Sequence, residues 1–130
     1  MKKTVYCLGN GISEKDSLPL KIMPVLEKKF PGITFVSFDP TEAEVIKDDS
    51  IILDTVEGIE KVRIFYNLDH FARSPRNSVH DYDLPVFLGL MLKLKKIKRF
   101  IIIGVPENYP LKKSIEEAGV LLTVLGTVPT

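Results

Sequence analysis

Two short runs, Ser50–Leu53 (SIIL) and Phe100–Ile103 (FIII), carry apolar residues at consecutive rather than alternate positions. Successive side chains of a strand point to opposite faces. A strand apolar on both faces belongs in the middle of a parallel sheet that is covered on each side. The remaining elements must supply those covers.

They do so by alternating strand and helix. Thr4–Leu8 reads as a first strand, ending at the turn Gly9-Asn10-Gly11. Ser17 can cap a helix with Pro19 in its first turn, and Leu18, Ile22, Val25, Leu26 and Phe30 follow at helical spacing. Pro24 lacks a donor and predicts a kink or late start. Pro31-Gly32 ends the helix, Ile33–Phe38 reads as a second strand, and Thr41–Ile46 as a short helix. Lys61–Tyr66 alternates polar and apolar after a connection too short for a crossover helix. This fourth strand is expected to run antiparallel to the third. Residues 67–83 show no periodicity and read as a long loop. Asp81 or Asp83 then caps a helix with Pro85 in its first turn, and Lys93, Lys95, Lys96 and Lys98 gather at its basic end. Pro110 opens the last helix, with Leu111, Ile115, Ala118, Leu122 and Leu125 on one face. The expected fold is a single domain over 1–130: a three-layer α/β/α sandwich around a twisted, mostly parallel five-stranded sheet with one antiparallel strand.

Composition narrows the function classes. A chain 45% apolar and 27% charged is globular, and a formal charge of +1 gives no reason to expect nucleic acid. The apolar part of the N-terminal segment is too short for a signal peptide, and no run approaches the ~20 residues of a membrane span. The expected location is cytoplasmic. Cys7 is the single cysteine, so no intramolecular disulfide or thiolate cluster forms; flanked by Tyr6 and Leu8, it reads as a small buried hydrophobe rather than a catalytic thiol.

Chemistry concentrates in three separated residues. Asp16 lies in the loop after the first strand, Asp54 ends the run IILD, and His80 precedes a helix in NSVHDYD. In open α/β sheets ligands gather beyond the carboxyl ends of the strands, where all three can converge. Two carboxylates and an imidazole can hold a divalent ion with positions left open, or share acid–base work. Singly, each has a plainer role as a cap, a strand-end acceptor or a loop residue. His70 beside Asp69 is a second candidate base or ligand, read more simply as an exposed loop residue. Arg73 and Arg76 could grip a carboxylate. Gly9-Asn10-Gly11 could cradle an anion but lacks the rest of a dinucleotide or P-loop fingerprint.

Taken together, these segments resemble the hydrogenase maturation proteases, endopeptidases that trim the large subunit of nickel–iron hydrogenases. The likeness runs in order along nearly the whole chain: Gly9-Asn10 with Asp16 six positions on, the strand IILD with Asp54, Ser78-Val79-His80 before a helix, and the closing strand with Gly104, Val105, Pro106 and Glu107. It implies that Asp16, Asp54 and His80 bind metal and serve catalysis. It further implies nickel delivered within the substrate, which other divalent ions can replace, and a hydrogenase large-subunit precursor as partner. Cleavage near that subunit's C-terminus is the implied reaction. Cys7, Lys15, Pro19 and Asp39-Pro40-Thr41 depart from the usual pattern. They motivate an alternative, a non-catalytic relative that binds metal or a metalloenzyme subunit.

Overall fold

The computed structural model describes residues 3–8, 18–38, 46–73 and 79–126, with the backbone alone for 72–73 and 79–83. Among the described residues there are five strands: β1 (Thr4–Leu8), β2 (Thr34–Phe38), β3 (Ser50–Val56), β4 (Arg63–Phe65) and β5 (Phe100–Pro106). The helices are α1 (Leu18–Lys29), α2 (Asp69–Arg73), α3 (Val79–Lys93) and α4 (Leu111–Val124). The strands form one sheet in the order β2-β1-β3-β5-β4. All neighbours are parallel except β4, which runs antiparallel to β5. This is the expected mostly parallel α/β sheet with one reversed strand.

Strand alternation divides the core into two. Val5, Cys7, Ile51, Leu53, Ile103 and Val105 bury against Ile22 and Leu26 of α1, Phe30 just after it, and Ala118 and Leu122 of α4. Tyr6, Leu8, Ile52, Val56, Phe65 and Ile102 bury on the other face against Leu84, Phe87, Leu88 and Met91 of α3. The consecutive apolar residues of β3 and β5 serve both covers, as their pattern requires.

Several boundaries differ from the sequence expectation, each for a tertiary reason. The segment after β3 does not lead to a neighbour of β3; β5 inserts between β3 and β4, so β4 pairs with β5 instead. Chain reversal was legible in the short connection, but the choice of partner depends on which strand completes the doubly covered centre. Helix α3 begins at Val79, not at an Asp81 or Asp83 cap, and contains Pro85. The missing N–H costs about 3 kcal/mol inside a helix. Burial of Leu84, Phe87, Leu88 and Met91 at about 1.5–3 kcal/mol each outweighs it. Pro24 lies inside α1 for the same reason, with Ile22 and Leu26 fully buried beside it. Val25 and Leu111, grouped by spacing with the apolar residues of their helices, are 37% and 49% exposed, because the buried lines run Ile22–Leu26 and Ala118–Leu122. The expected helix at Thr41–Ile46 lies outside the described residues except Ile46, which is buried.

Side chains fasten the edges of the layers. The Asp48 carboxylate accepts the backbone N–H groups of Asp49, Lys98 and Arg99 at 2.9, 2.7 and 3.0 Å. At the other end Glu117 of α4 accepts Val62 N–H at 3.1 Å and the Tyr109 hydroxyl at 2.8 Å. Donating to that carboxylate pushes the Tyr109 hydroxyl above its ordinary range.

Helix α3 ends in a left-handed cap. Lys95 has φ 60°, its N–H reaches Leu92 O at 3.1 Å, and Lys96 N–H reaches Met91 O at 2.9 Å. This is the paired-bond C-cap in which glycine usually takes the left-handed position. A side chain there costs roughly 1–2 kcal/mol, partly offset by the greater unfolded freedom of glycine. Lys95→Gly is therefore expected to stabilise the fold by about 0.5–1 kcal/mol, read as a higher urea midpoint at unchanged slope.

Candidate functional site

The chain leaves β1 toward β2 on one side, then returns past β1 to β3 on the other. Such a switch of direction opens a crevice at the carboxyl ends of the two central strands. Cys7 of β1 pairs with Leu53 of β3, so β1 ends beside the level of Asp54. Asp54 is the only charged side chain of β3 and occupies its fifth position. The strand runs on to Val56, so Asp54 is part of the ladder rather than its last residue as the short apolar run had implied. Alternation with Ile52 and Val56 puts it on the α3 face of the sheet. It is half-buried, and its Oδ1 accepts the N–H of Thr55 at 2.8 Å.

His80 is the second residue of α3. The helix turns directly into β5 at its basic end, where Lys96 N–H caps Met91 O and β5 starts at Phe100. Fifteen helical residues span about 22 Å and seven strand residues about 23 Å, so the first turn of α3 lies at the carboxyl edge of the sheet. The backbone thus brings position 80 to the edge and face that hold Asp54. Asp16 lies outside the described residues, as do Gly9-Asn10-Gly11, Arg76 and Ser78. Among the described residues no group of three His, Cys, Asp or Glu side chains could hold a metal ion, a set to which neither Asp16 nor the His80 side chain belongs.

The level of Asp54 continues across the sheet through residues that sequence reasoning weighed less. Asp54 pairs with Gly104 of β5, and Gly104 with Arg63 of β4. A Cβ at Gly104 would meet Val56 Cγ2 at 2.7 Å and Phe65 Cε2 at 2.8 Å. Glycine is needed here for close packing beside Asp54. The Arg63 guanidinium stacks over Phe65, its Cζ 4.8 Å from the ring centroid. Charge alternation in KVRIFY signalled an exposed Arg63, but only the register aligns it with Asp54.

His70 is in α2, and its ring lies half-buried at 5.0 Å from Phe65 and 5.4 Å from Phe71. It is a member of an aromatic cluster, not the exposed loop residue expected. Arg73 ends α2. Cys7 is fully buried, and burial, with a smaller contribution from Glu27, pushes its thiol up to about 12. It carries no nucleophilic thiolate near neutral pH. A groove of about 440 Å³ between Tyr66, Leu68, Leu92, Lys98 and Phe100 lies at the amino edge of β5, the opposite end from Asp54. Among the described residues, no helix is long and apolar enough to cross a membrane.

Comparison of folds gives several close matches in length. HybD, a NiFe hydrogenase maturation protease of Thermococcus kodakarensis, superposes with a TM-score of 0.67 at 18% identity, covering 96% of this chain and 99% of that one. The hydrogenase maturating endopeptidase HybD of E. coli gives 0.67 at 16% identity, covering 97% and 94%. A hydrogenase 2 maturation peptidase from Thaumarchaeota archaeon SCGC_AB-539-E09 gives 0.57 at 16% identity, covering 98% and 99%. No protein-family model and no curated protein matches the sequence. The chain therefore shares, over almost its whole length, the fold of these proteases.

Two outcomes test the local account. Gly104→Ala is expected to destabilise the protein by about 1–3 kcal/mol in urea unfolding, because Val56 and Phe65 must move. The raised folded pKa of Cys7 means that the protonated thiol's contribution to stability is complete below about 9.0, its unfolded value, and falls as pH rises toward about 12. The stability advantage of the wild type over Cys7→Ala should accordingly shrink between those values, and native Cys7 should resist alkylation at pH 8.

Proposed function

We propose that this chain is an endopeptidase that removes a C-terminal peptide from the nickel-loaded precursor of a nickel–iron hydrogenase large subunit, with Asp16, Asp54 and His80 as its metal-recognition and catalytic residues. The observation that carries this reading is the position of Asp54: one carboxylate in an otherwise uncharged central strand, at the switch point of a fold shared with hydrogenase maturation proteases. The first turn of α3 at the same edge supports adding His80, and the sequence motif adds Asp16.

The donor set suits the cargo. Imidazole and carboxylate together fit a borderline divalent ion such as nickel and leave positions for substrate groups. When the precursor brings that ion, it supplies a Lewis acid and a template for orienting the peptide. The chain's own residues supply the rest. Asp54 is held by the β3 ladder and by Thr55 N–H, so its carboxylate is presented from a rigid element instead of a loop. An aspartate so placed can orient a water and take its proton, and the imidazole of His80 adds a nitrogen donor to the set. The apolar α3 face behind Asp54, with Ile52 and Val56, keeps bulk water from the rear of the site.

The test is incubation of the protein with recombinant precursor in nickel-loaded and nickel-free forms, reading the released peptide by mass. Only the loaded form should be cut, and Asp54→Ala and His80→Ala should each lower the rate by about 100-fold or more. Equal cleavage of both forms would remove the metal-recognition role, and unimpaired variants would remove the site.

A further inference from the structure

The solvent face of α3 carries a second message. Val86, Leu90 and Leu94 recur every four residues and are 43%, 49% and 54% exposed. The helical bond from Leu94 N–H to Leu90 O at 2.9 Å keeps the third of them on the same spiral. With Leu84, Phe87, Leu88 and Met91 buried beneath, this helix is apolar on both its inner and outer sides. A contiguous exposed apolar stripe rimmed by charge is a candidate contact surface.

At its lower end the stripe runs into Lys93, Lys95 and Lys96, all exposed. Among the described residues none of the three forms an ion pair, the one salt bridge being Lys3 with Asp49. The whole chain has 18 cationic and 17 acidic side chains, so this cluster is a local excess. Lys95 moreover occupies a left-handed position at φ 60° that glycine would fill with less strain. Its replacement by glycine therefore removes one charge of the cluster without straining the backbone.

We propose that the outer face of α3 is a docking surface for a transient protein partner that presents an apolar strip flanked by carboxylates. Two considerations select this occupant. The cations call for acidic groups opposite them. Three side chains also offer much less area than the ~800 Å² per side of a standing interface, which favours a short-lived enzyme–substrate encounter over a permanent dimer of this chain. On the functional reading above, on which this step rests, the partner is the body of the precursor. The stripe begins at Val86, about 9 Å along the helix from His80. A precursor seated there keeps its C-terminal tail within reach of the edge where Asp54 lies.

The experiment measures kcat and KM for cleavage of nickel-loaded precursor by the wild type, Leu90→Asp, Lys93→Glu and Lys95→Gly, with thermal unfolding of each. The expected result is a KM raised about 10-fold at unchanged kcat, and a weaker salt dependence for the two lysine variants. Lys95→Gly is the most telling, since it should raise the unfolding temperature while raising KM, which structural damage cannot do. Wild-type KM in every variant, with the wild type active, overturns the docking surface and leaves the protease reading standing. A wild type that neither binds nor cuts precursor overturns both. A wild-type dimer by light scattering that Leu90→Asp converts to monomer assigns the stripe to a second copy and also overturns the proposal.

Discussion

The parallel pairing of β3 with β5, in register from Ser50↔Phe100 to Val56↔Pro106, is the contact on which the rest of the molecule hangs. β1 joins through β3 and β4 through β5, and both helix layers find their main apolar surface on these two strands. Asp48 pins the amino end of that register by accepting the N–H groups of Arg99 and Lys98 just before β5, while Asp49 N–H reaches Arg99 O at 2.9 Å. These donors, Arg99 first, hold the Asp48 carboxyl below its ordinary range. The clamp is thus complete above the ordinary carboxylate pKa and released as pH falls through the lowered one. A slip of one residue would move every side chain to the opposite face and take Asp54 away from α3.

The same register builds the candidate edge. Asp54, Gly104 and Arg63 share one level because β3, β5 and β4 are aligned there. Gly104 lets Val56 and Phe65 close beside the carboxylate, and Phe65 in turn supports Arg63 and packs against His70. A single central strand pair therefore sets both the stability of the sheet and the position of its one buried-edge charge. Chemistry at this edge and docking along α3 would be joined through the same helix, whose first turn holds His80 and whose last holds the lysine cap.

Local chemistry reached the strands most easily. Thr4–Leu8 has the same limits in sequence and structure, and SIIL and FIII announced the covered centre. It reached less far wherever a local cost is overruled by burial. Pro85 marks a helix start by its own preference, yet the four apolar residues of α3 extend the helix on both sides of it. His70 looked like a loop residue because five-residue α2 has too few turns to show a period; Phe65 and Phe71 give it a half-buried place. Of the candidate site, the sequence named Asp54 and put His80 beside a helix, but could not align either with Gly104 or Arg63.

What the sequence determined by itself is what depends on neighbours along the chain: the doubly apolar strands, the alternation of strand and helix, the reversal before β4, and an acid at the end of IIL. Tertiary structure alone decided that β5 separates β3 from β4 and that Asp54 faces α3. The physical reason is the range of the forces involved. Backbone preference and periodicity act over a few residues, whereas register, facing and exposure follow from which distant surfaces exclude water together.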